Sequence, residues 1–448
     1  MRFKCTLVQL LLVTVVGLAG EPWAQENVPA FPGAQGFGAF TPGGRGGQAT
    51  FVTDIRDYAP GKEERIPGTL RAACDKEGPR IVVFRMSGII ELKDTLAITK
   101  PFITIAGQSA PGDGVCLKNF ACVVQTHDVV IRYLRCRPGD HMGIELDALS
   151  VSGSRNVILD HCSASWGNDE TLSVSGAGQT AITVQWCLIT ESLNESHHRK
   201  GAHGYGTLLR TDGNVTFHHN LYAHHRTRCP RPGTYGDEPG LLLDFRNNVI
   251  YNWVSPAGYS AEDPVRMNYI GNYLKPGPST TDPEHAFSIG GTATKMFVSG
   301  NVVEGVTADD DNWGLIRNAE EIHKAPEPFP VAVVATDTAQ AAFRRVLAEA
   351  GATLPVRDAV DTRIVQHIEE SSGAIINSQA DVGGWPIYRS ADAAPDRDAD
   401  GMPDDWETKH GFDPSSAGDA GLDPDGDVYT NIEEFLNGTD PNKGERVP

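Results

Sequence analysis

Residues 218–233, HHNLYAHHRTRCPRPG, gather four histidines and three arginines in sixteen positions. The surrounding stretch 194–232 carries six Lys/Arg against two acids, and seven of the fourteen histidines, in a chain of formal net charge −20. Cations concentrated within an acidic chain mark a local anion site. The histidine spacings fit no zinc motif, so scaffold or groove-wall roles are expected for His218, His219, His224 and His225.

The opposite charge gathers at the C-terminus. Residues 391–448 hold sixteen acids against four bases, a net of −12 and over half of the whole imbalance. DRDADGMPDDWE places Asp396, Asp398, Asp400, Asp404 and Glu407 at positions 1, 3, 5, 9 and 12, with Gly401 at position 6. Calcium takes six to eight oxygens, and this spacing curls carboxylates around one ion with glycine at the sharp turn. DPDGDVYTNIEE offers Asp423, Asp425, Asp427, Asn431 and Glu434 in the same way, with Val428 in place of the glycine. The tail resembles the short calcium-repeat modules of thrombospondin type 3 or dockerin-like kind, which implies bound Ca²⁺ with a structural or docking role.

The elements that must position these groups repeat. FITIAGQ, VVIRYL, NVILDHC, AITVQWC, NVTFHHN, LLDFRNN, MNYIGN and MFVSGN are short β-rich runs. Their last residues, Gln108, Leu134, Cys162, Cys187, Asn220, Asn248, Asn272 and Asn301, are 24–33 residues apart and form one column. Strand runs at this period without matching helices predict an all-β fold, a right-handed parallel β-helix, in which stacked coils supply each other's core. Each column residue is expected to take a bend. The four asparagines would form an amide ladder at the inter-strand spacing of about 4.8 Å. Cys162 and Cys187 share the column, leaving open a disulfide, whose Cα window is about 4.4–6.8 Å, or a stack of free thiols.

The remaining organisation follows from composition. Arg2 and Lys4 precede the apolar run TLVQLLLVTVVGLAG, with small residues at Ala19 and Ala24. This reads as a signal peptide over 1–24 and predicts a secreted protein, extracellular or periplasmic. No other stretch is apolar enough to span a membrane. Seven cysteines follow Cys5, an odd number far too sparse for a disulfide scaffold. The Gly-rich loop 31–47 lacks a strand before it and a helix after it, so it is not a phosphate loop. Helices are expected over 336–351, capped by Asp337 and stopped at Gly351, and over 357–373. They would brace the far end of the solenoid. The expected segments are therefore 30–305 as the β-helix, 306–390 as the bracing segment and 391–448 as the acidic module.

NVILDHCSASW, NVTFHHN and RCPR, together with PGAQGFGAFTPGGRGG, resemble the pectate lyases of polysaccharide lyase family 1 over roughly residues 30–305. The resemblance implies calcium-assisted β-elimination of polygalacturonate by a monomer with no nucleic-acid partner. Such a reaction needs the substrate carboxylate neutralised, a base beside the C5 proton, and cations to hold the developing charge. Carried over by motif, Arg228 is the implied base, although arginine is ordinarily protonated. Arg231 stands in for a further substrate-binding arginine, and Lys200 for a substrate-binding or enolate-stabilising lysine. Glu145 and Asp147, at alternate strand positions and so facing one side, align with the first calcium ligands. Asp169 aligns with the next, while the fourth acid falls on Ser173, and a shift of register would bring in Glu170 instead. Asp160 and His161 are expected beneath the groove, the aspartate orienting the histidine, with His161 a candidate substrate contact.

Three rivals remain. A polygalacturonase-type hydrolase needs two carboxylates about 6.5–9.5 Å apart, and the region has no paired-Asp motif beside a Gly-His-Gly. A non-catalytic β-helix adhesin shares the fold but has no use for the Arg228 constellation. A pectin lyase, acting on methylated polymer without calcium, has none for Glu145, Asp147 and Asp169.

Overall fold

The computed structural model describes residues 28–309 and 311–444; the expected signal peptide lies outside them. Parallel strands form three sheets along a β-helix. One has ten strands from Gln48–Val52 to Thr294–Ser299, one nine from Gly88–Glu91 to Val302–Val303, and one six from Leu96–Ile98 to Arg231–Gly233. Each coil visits them in that order. Arg155–Asp160, Ser163–Ser165 and Leu172–Ser175 make one coil, and Thr180–Gln185 begins the next. In later coils the short strands Gly258–Tyr259, Phe287–Ser288 and Ile316–Arg317 replace the six-stranded sheet. Period-two alternation puts Val157, Leu159, Ile182 and Val184 into one continuous core. Among the described residues no helix is long and apolar enough to cross a membrane.

The asparagine ladder forms. Asn220 donates through Nδ2 to Oδ1 of Asn248 at 2.9 Å, Asn248 to Asn272 at 3.2 Å and Asn272 to Asn301 at 2.9 Å. Each acceptor oxygen also takes the preceding coil's backbone amide, and Asn312 extends the column by accepting the Asn301 amide. The bend falls one residue earlier than expected. Tyr133, His161, Trp186, His219 and Asn247 all have φ between 51° and 55°, and Gly271 and Gly300 follow at 62° and 67°. The left-handed turn is thus made by the residue before the ladder, whatever its type. Gln108 stands apart from the column, in a 3₁₀ turn.

Asn248→Ala deletes an acceptor for two donors of Asn220 and leaves the Phe217 carbonyl and Asn272 Oδ1 short of a partner. A loss of about 2–5 kcal/mol is expected in denaturant unfolding, whereas a variant within 0.5 kcal/mol of the parent would refute a structural role for the ladder. Cys162 and Cys187 are free thiols, the Cys162 amide lying 3.4 Å from Cys187 Sγ, and the other cysteines among the described residues are likewise free and buried.

The two expected helices form over Ala339–Glu349 and Ala359–Glu370, but brace the flank rather than the end. Their apolar faces, Val346, Leu347, Ile364 and Ile368, cover Leu188, Leu221, Ala223, Val249 and Tyr251 of the nine-stranded sheet. Thr338 caps the first helix, accepting from the Ala341 amide at 3.3 Å. Asp337 is instead engaged with His219 and Arg345. The second helix is pinned by Arg137, fully buried, whose guanidinium meets Asp358 and Asp361 at 2.5 and 2.6 Å.

The Gly-rich entry loop covers the outer face of the ten-stranded sheet, with Ala30, Phe31, Ala34 and Ala39 on Val130 and Ile158. Gly38 comes so close that an added Cβ would lie 2.3 Å from the Val157 carbonyl. The acidic tail folds back over the opening strands of the same sheet, seating Met402 and Ile432 on Ile81 and Val83.

Candidate active site

Consecutive coils enter the six-stranded sheet through loops, and the chemistry-bearing side chains meet there. Leu149 pairs with Leu172, so Asp147 and Glu170 stand on neighbouring rungs just before their strands. Glu170 is bridged to Tyr205, and Tyr205 to Thr227, the neighbour of Arg228. Arg228 itself takes a left-handed turn, φ 64°. Its guanidinium lies over the Tyr205 ring at 4.1 Å, contacts the Glu170 carboxylate, and reaches the Tyr259 hydroxyl at 3.3 Å.

Asp147, Asp169 and Glu170 each offer an oxygen within 4.8 Å of the others. Burial, with the charges of Asp147 and Asp169, pushes the Glu170 carboxyl up to about 8. Desolvation and the charge of Asp169 raise Asp147 to about 7. Burial also opposes ionisation of Asp169, but hydrogen bonding and charge from His203 and charge from His198 outweigh it and hold its carboxyl low. His203 Nε2 lies 2.8 Å and His198 Nε2 3.4 Å from Asp169 Oδ1, with the two rings stacked 3.6 Å apart. The Lys200 amide donates to His198 Nδ1 at 3.1 Å, so neutral His198 keeps its proton on Nε2, the nitrogen nearer Asp169. Converging carboxylates held close to protonation are a donor set for a hard cation.

Several expectations are revised. Glu145 and Asp147 lie in a loop rather than on a strand, so alternation does not align them. Glu145 accepts the Arg199 amide at 2.7 Å and is not among the converging carboxylates, whereas Glu170 joins them and supplies the acid missing at Ser173. Lys200 is exposed in the loop between Leu188–Thr190 and Leu208–Arg210. Arg231, on the last strand of the six-stranded sheet, is tied to Asp263 at 2.8 Å. His161 is not brought to this site. It stacks between Tyr133 and Trp186, at 4.9 and 6.0 Å, on the corner joining the other two sheets, with Asp160 2.9 Å from its Nδ1. Its left-handed corner position sends it there. Tyr205, Tyr259, His198 and His203 were not singled out in the sequence; the HGYG run at 203–206 was the available signal.

In the tail, Asp398, Asp400 and Glu407 gather as expected, but Asp396 and Asp404 do not join them, and Asp419 does. Asp423, Asp425 and Asp427 also converge, and Val428 keeps the turn expected of glycine, at φ 80°. Asn431 spends its amide on the Asp419 carbonyl at 2.8 Å, and Glu434 is buried on the helix Asn431–Asn437.

The histidines of the 218–225 stretch are scaffold. His225 bridges Ser192 and the Ile189 carbonyl, both at 2.7 Å, and His218 meets Gln185 at 3.1 Å. Burial lowers all four, His219 and His225 to about 4 and His224 to about 3, with His218 well below the usual range. A histidine depressed on folding gives its full stability above the unfolded value near 6.5, and loses it as pH falls toward the folded value. Stability is therefore expected to fall from about pH 6.5 to pH 4, by about 1–2 kcal/mol per imidazole at pH 5. Thermal midpoints flat over that window would contradict the assignment.

No known family model matches the chain. The probable pectate lyase C of Aspergillus flavus is 35% identical over 428 residues, covering 92% of this chain and 94% of that protein. This chain belongs to the pectate lyases. A second member of the family, the probable pectate lyase C of Aspergillus fumigatus, is 34% identical over 445 residues, covering 95% and 97% of the two chains. The fold agrees. The cedar pollen allergen Jun a 1 superposes with a TM-score of 0.51 at 20% identity, over 71% of this chain and 92% of that one. A pectate lyase variant from Bacillus subtilis gives 0.51 at 13% identity, over 73% and 99%.

Proposed function

We propose that this chain is a secreted pectate lyase, cleaving polygalacturonate by calcium-assisted β-elimination with Arg228 as the base. The observation that carries the reading is the meeting of Arg228 with Asp147, Asp169 and Glu170 where the coils enter the six-stranded sheet. A polyuronate brings a carboxylate at every ring, and the cation-rich 194–232 stretch is the complementary surface.

Asp147, Asp169 and Glu170 would hold calcium, their all-oxygen donor set fitting that ion. An ion held there would neutralise the substrate carboxylate and so acidify the adjacent C5 proton. The guanidinium of Arg228 stands over Tyr205 and against Glu170 of the acidic group, from where it would face the C5 proton of a bound uronate. Abstraction breaks the C5–H bond, its electrons form the C4=C5 double bond, and the glycosidic oxygen leaves with the C4–O bonding pair and takes a proton from water. Burial works against the charge on Arg228, but Glu170 and Tyr259 outweigh it and raise its pKa. Proton abstraction therefore requires Glu170 to be drawn off Arg228 and the guanidinium to release a proton to solvent first, so that a neutral guanidine nitrogen receives the C5 proton. Arg231 and Lys200 serve as substrate-carboxylate contacts. The C-terminal tail is a second, separate calcium-binding module.

Turnover of unesterified polygalacturonate is expected to fall at least tenfold in chelator and to return with calcium, and highly methyl-esterified pectin is expected to be the poorer substrate. Chelator-resistant activity with a preference for the methylated polymer would replace this reading with that of a pectin lyase.

A further inference from the structure

We infer that Asp398, Asp400, Glu407 and Asp419 form a calcium site that clamps the C-terminal tail onto the opening strands of the solenoid. The inference rests on reading the tail as a calcium-binding module, and adds to it a different ligand set and a consequence for the fold.

The ligand set departs from the twelve-residue loop. Asp396, first in that loop, pairs with Arg85 at 2.9 Å and accepts the Asp400 and Gly401 amides at 3.2 Å each. Asp404 accepts the Arg397 amide at 2.8 Å. Asp419, twelve residues past Glu407, takes the space they leave, and the four carboxylates each offer an oxygen within 4.8 Å of the others. Asp400, Glu407 and Asp419 are 6%, 0% and 8% exposed. Both oxygens of Asp398 and of Glu407, and one each of Asp400 and Asp419, are buried and accept no hydrogen bond. None of the four has an ion pair among the described residues.

Four carboxylates cannot stay together, ionised and dry, without a counter-charge. The donors are all oxygen and strongly anionic, which excludes the soft metals that favour sulfur or imidazole. Six orphan oxygens from four side chains suit calcium, with its six to eight ligands, better than magnesium, which keeps most of its water.

The site is joined directly to the contacts that seat the tail. Asp400 is followed by Gly401, at φ 104°, where an added Cβ would lie 3.1 Å from that of Ala49 and 2.8 Å from Ile432 Cδ1. Met402 comes next, fully buried against Ile81 and Val83. Asp396 holds Arg85, just past the strand Arg80–Phe84. Arg45–Glu433 and Arg132–Asn437, both at 2.8 Å, fasten the other side of the tail. Without the ion, four unscreened carboxylates push apart the segment that carries Met402. With it, the tail covers the outer face of Gln48–Val52 and Arg80–Phe84, some three hundred residues earlier in the chain. Because the ion binds only the folded tail, its binding free energy adds to the stability of the first coils.

The test uses the full chain with and without calcium, comparing Asp419→Asn and Glu407→Gln with the groove variant Asp147→Asn. Three quantities are read: calcium equivalents by calorimetric titration, thermal midpoint, and hydrogen exchange of the Gln48–Val52 amides. In the parent, calcium is expected to raise the midpoint by about 3–8 °C and to slow exchange in Gln48–Val52 at least tenfold. Asp419→Asn and Glu407→Gln lose one equivalent and most of both effects. Their chelated forms are at least as stable as the chelated parent, since a repelling charge is gone, which separates ion loss from misfolding. Asp147→Asn keeps both effects. Loss of an equivalent with unchanged exchange in Gln48–Val52 would overturn the clamp while leaving the tail a calcium module. Retention of every equivalent in both tail variants would overturn the ligand set. A parent whose calcium effects all vanish with Asp147→Asn would overturn the calcium-module reading itself.

Discussion

Arg228→Lys is expected to lower the rate of polygalacturonate elimination by about 10²–10⁴-fold, with the thermal midpoint and oligogalacturonide binding close to those of the parent. Lysine keeps the positive charge that faces Glu170, so the local ion pair and the affinity for a uronate carboxylate survive. What it loses is the planar guanidinium laid over Tyr205 at 4.1 Å, and with it the fixed placement of a proton-accepting nitrogen. The expected signature is a fall in kcat with little change in KM, which marks an interaction made only in the transition state. A rise in KM at constant kcat would make Arg228 a carboxylate clamp and move the base elsewhere. Retention of full activity would remove Arg228 from the reaction.

Arg137→Met is expected to cost about 3–5 kcal/mol, the penalty for stranding buried charge. The guanidinium is fully buried and satisfies Asp358 and Asp361, and Asp358 also accepts from the Tyr388 hydroxyl at 2.6 Å. Burial opposes ionisation of Asp358, but the charge of Arg137 outweighs it and holds that carboxyl well below the usual range. The loss should concentrate where Ala359–Glu370 meets the nine-stranded sheet, as faster exchange of that helix's amides, with the sites at Arg228 and Glu407 retained. A change below about 1 kcal/mol would mean that Asp358 and Asp361 are satisfied without Arg137, and that apolar packing alone holds the flank.

The β-helix was legible because its period is written in residue types that only stacking explains. Asn220, Asn248, Asn272 and Asn301 are not turn markers but a hydrogen-bonded column. The bend itself was misplaced by one residue, because tyrosine, histidine, tryptophan and asparagine all occupy it and no single residue type announces it. Stacking compensates: the Trp186 and His219 rings lie 4.4 Å apart across that corner. The same ambiguity hides the corner position of His161. The amphipathic pattern of 339–349 says that one face is buried but not against which surface, so it does not separate the flank from the end.

At the site, Arg228, Asp147 and Asp169 could be named from the family resemblance, yet whether Glu170 stands in for the acid missing at Ser173 could not. Strand alternation does not apply in a loop, and only the paired coils put Glu170 on the rung next to Asp147. His198 and His203 reach Asp169 from the longest inter-coil loop, whose path no periodicity fixes. Asp419 escaped for a comparable reason: the twelve-residue spacing describes one loop, and this ligand comes from beyond it.

The most direct test of the central claim is the chemistry of the product from polygalacturonate digested with calcium present. Elimination predicts new chain ends bearing a C4=C5 bond, so ultraviolet absorbance rises in step with the reducing ends and both stop on chelation. The chelation arm is repeated with Asp419→Asn, so that the effect is traced to the groove rather than to the tail. Reducing ends formed without absorbance would mean hydrolysis, and neither signal would mean a binding protein; either result would contradict the lyase.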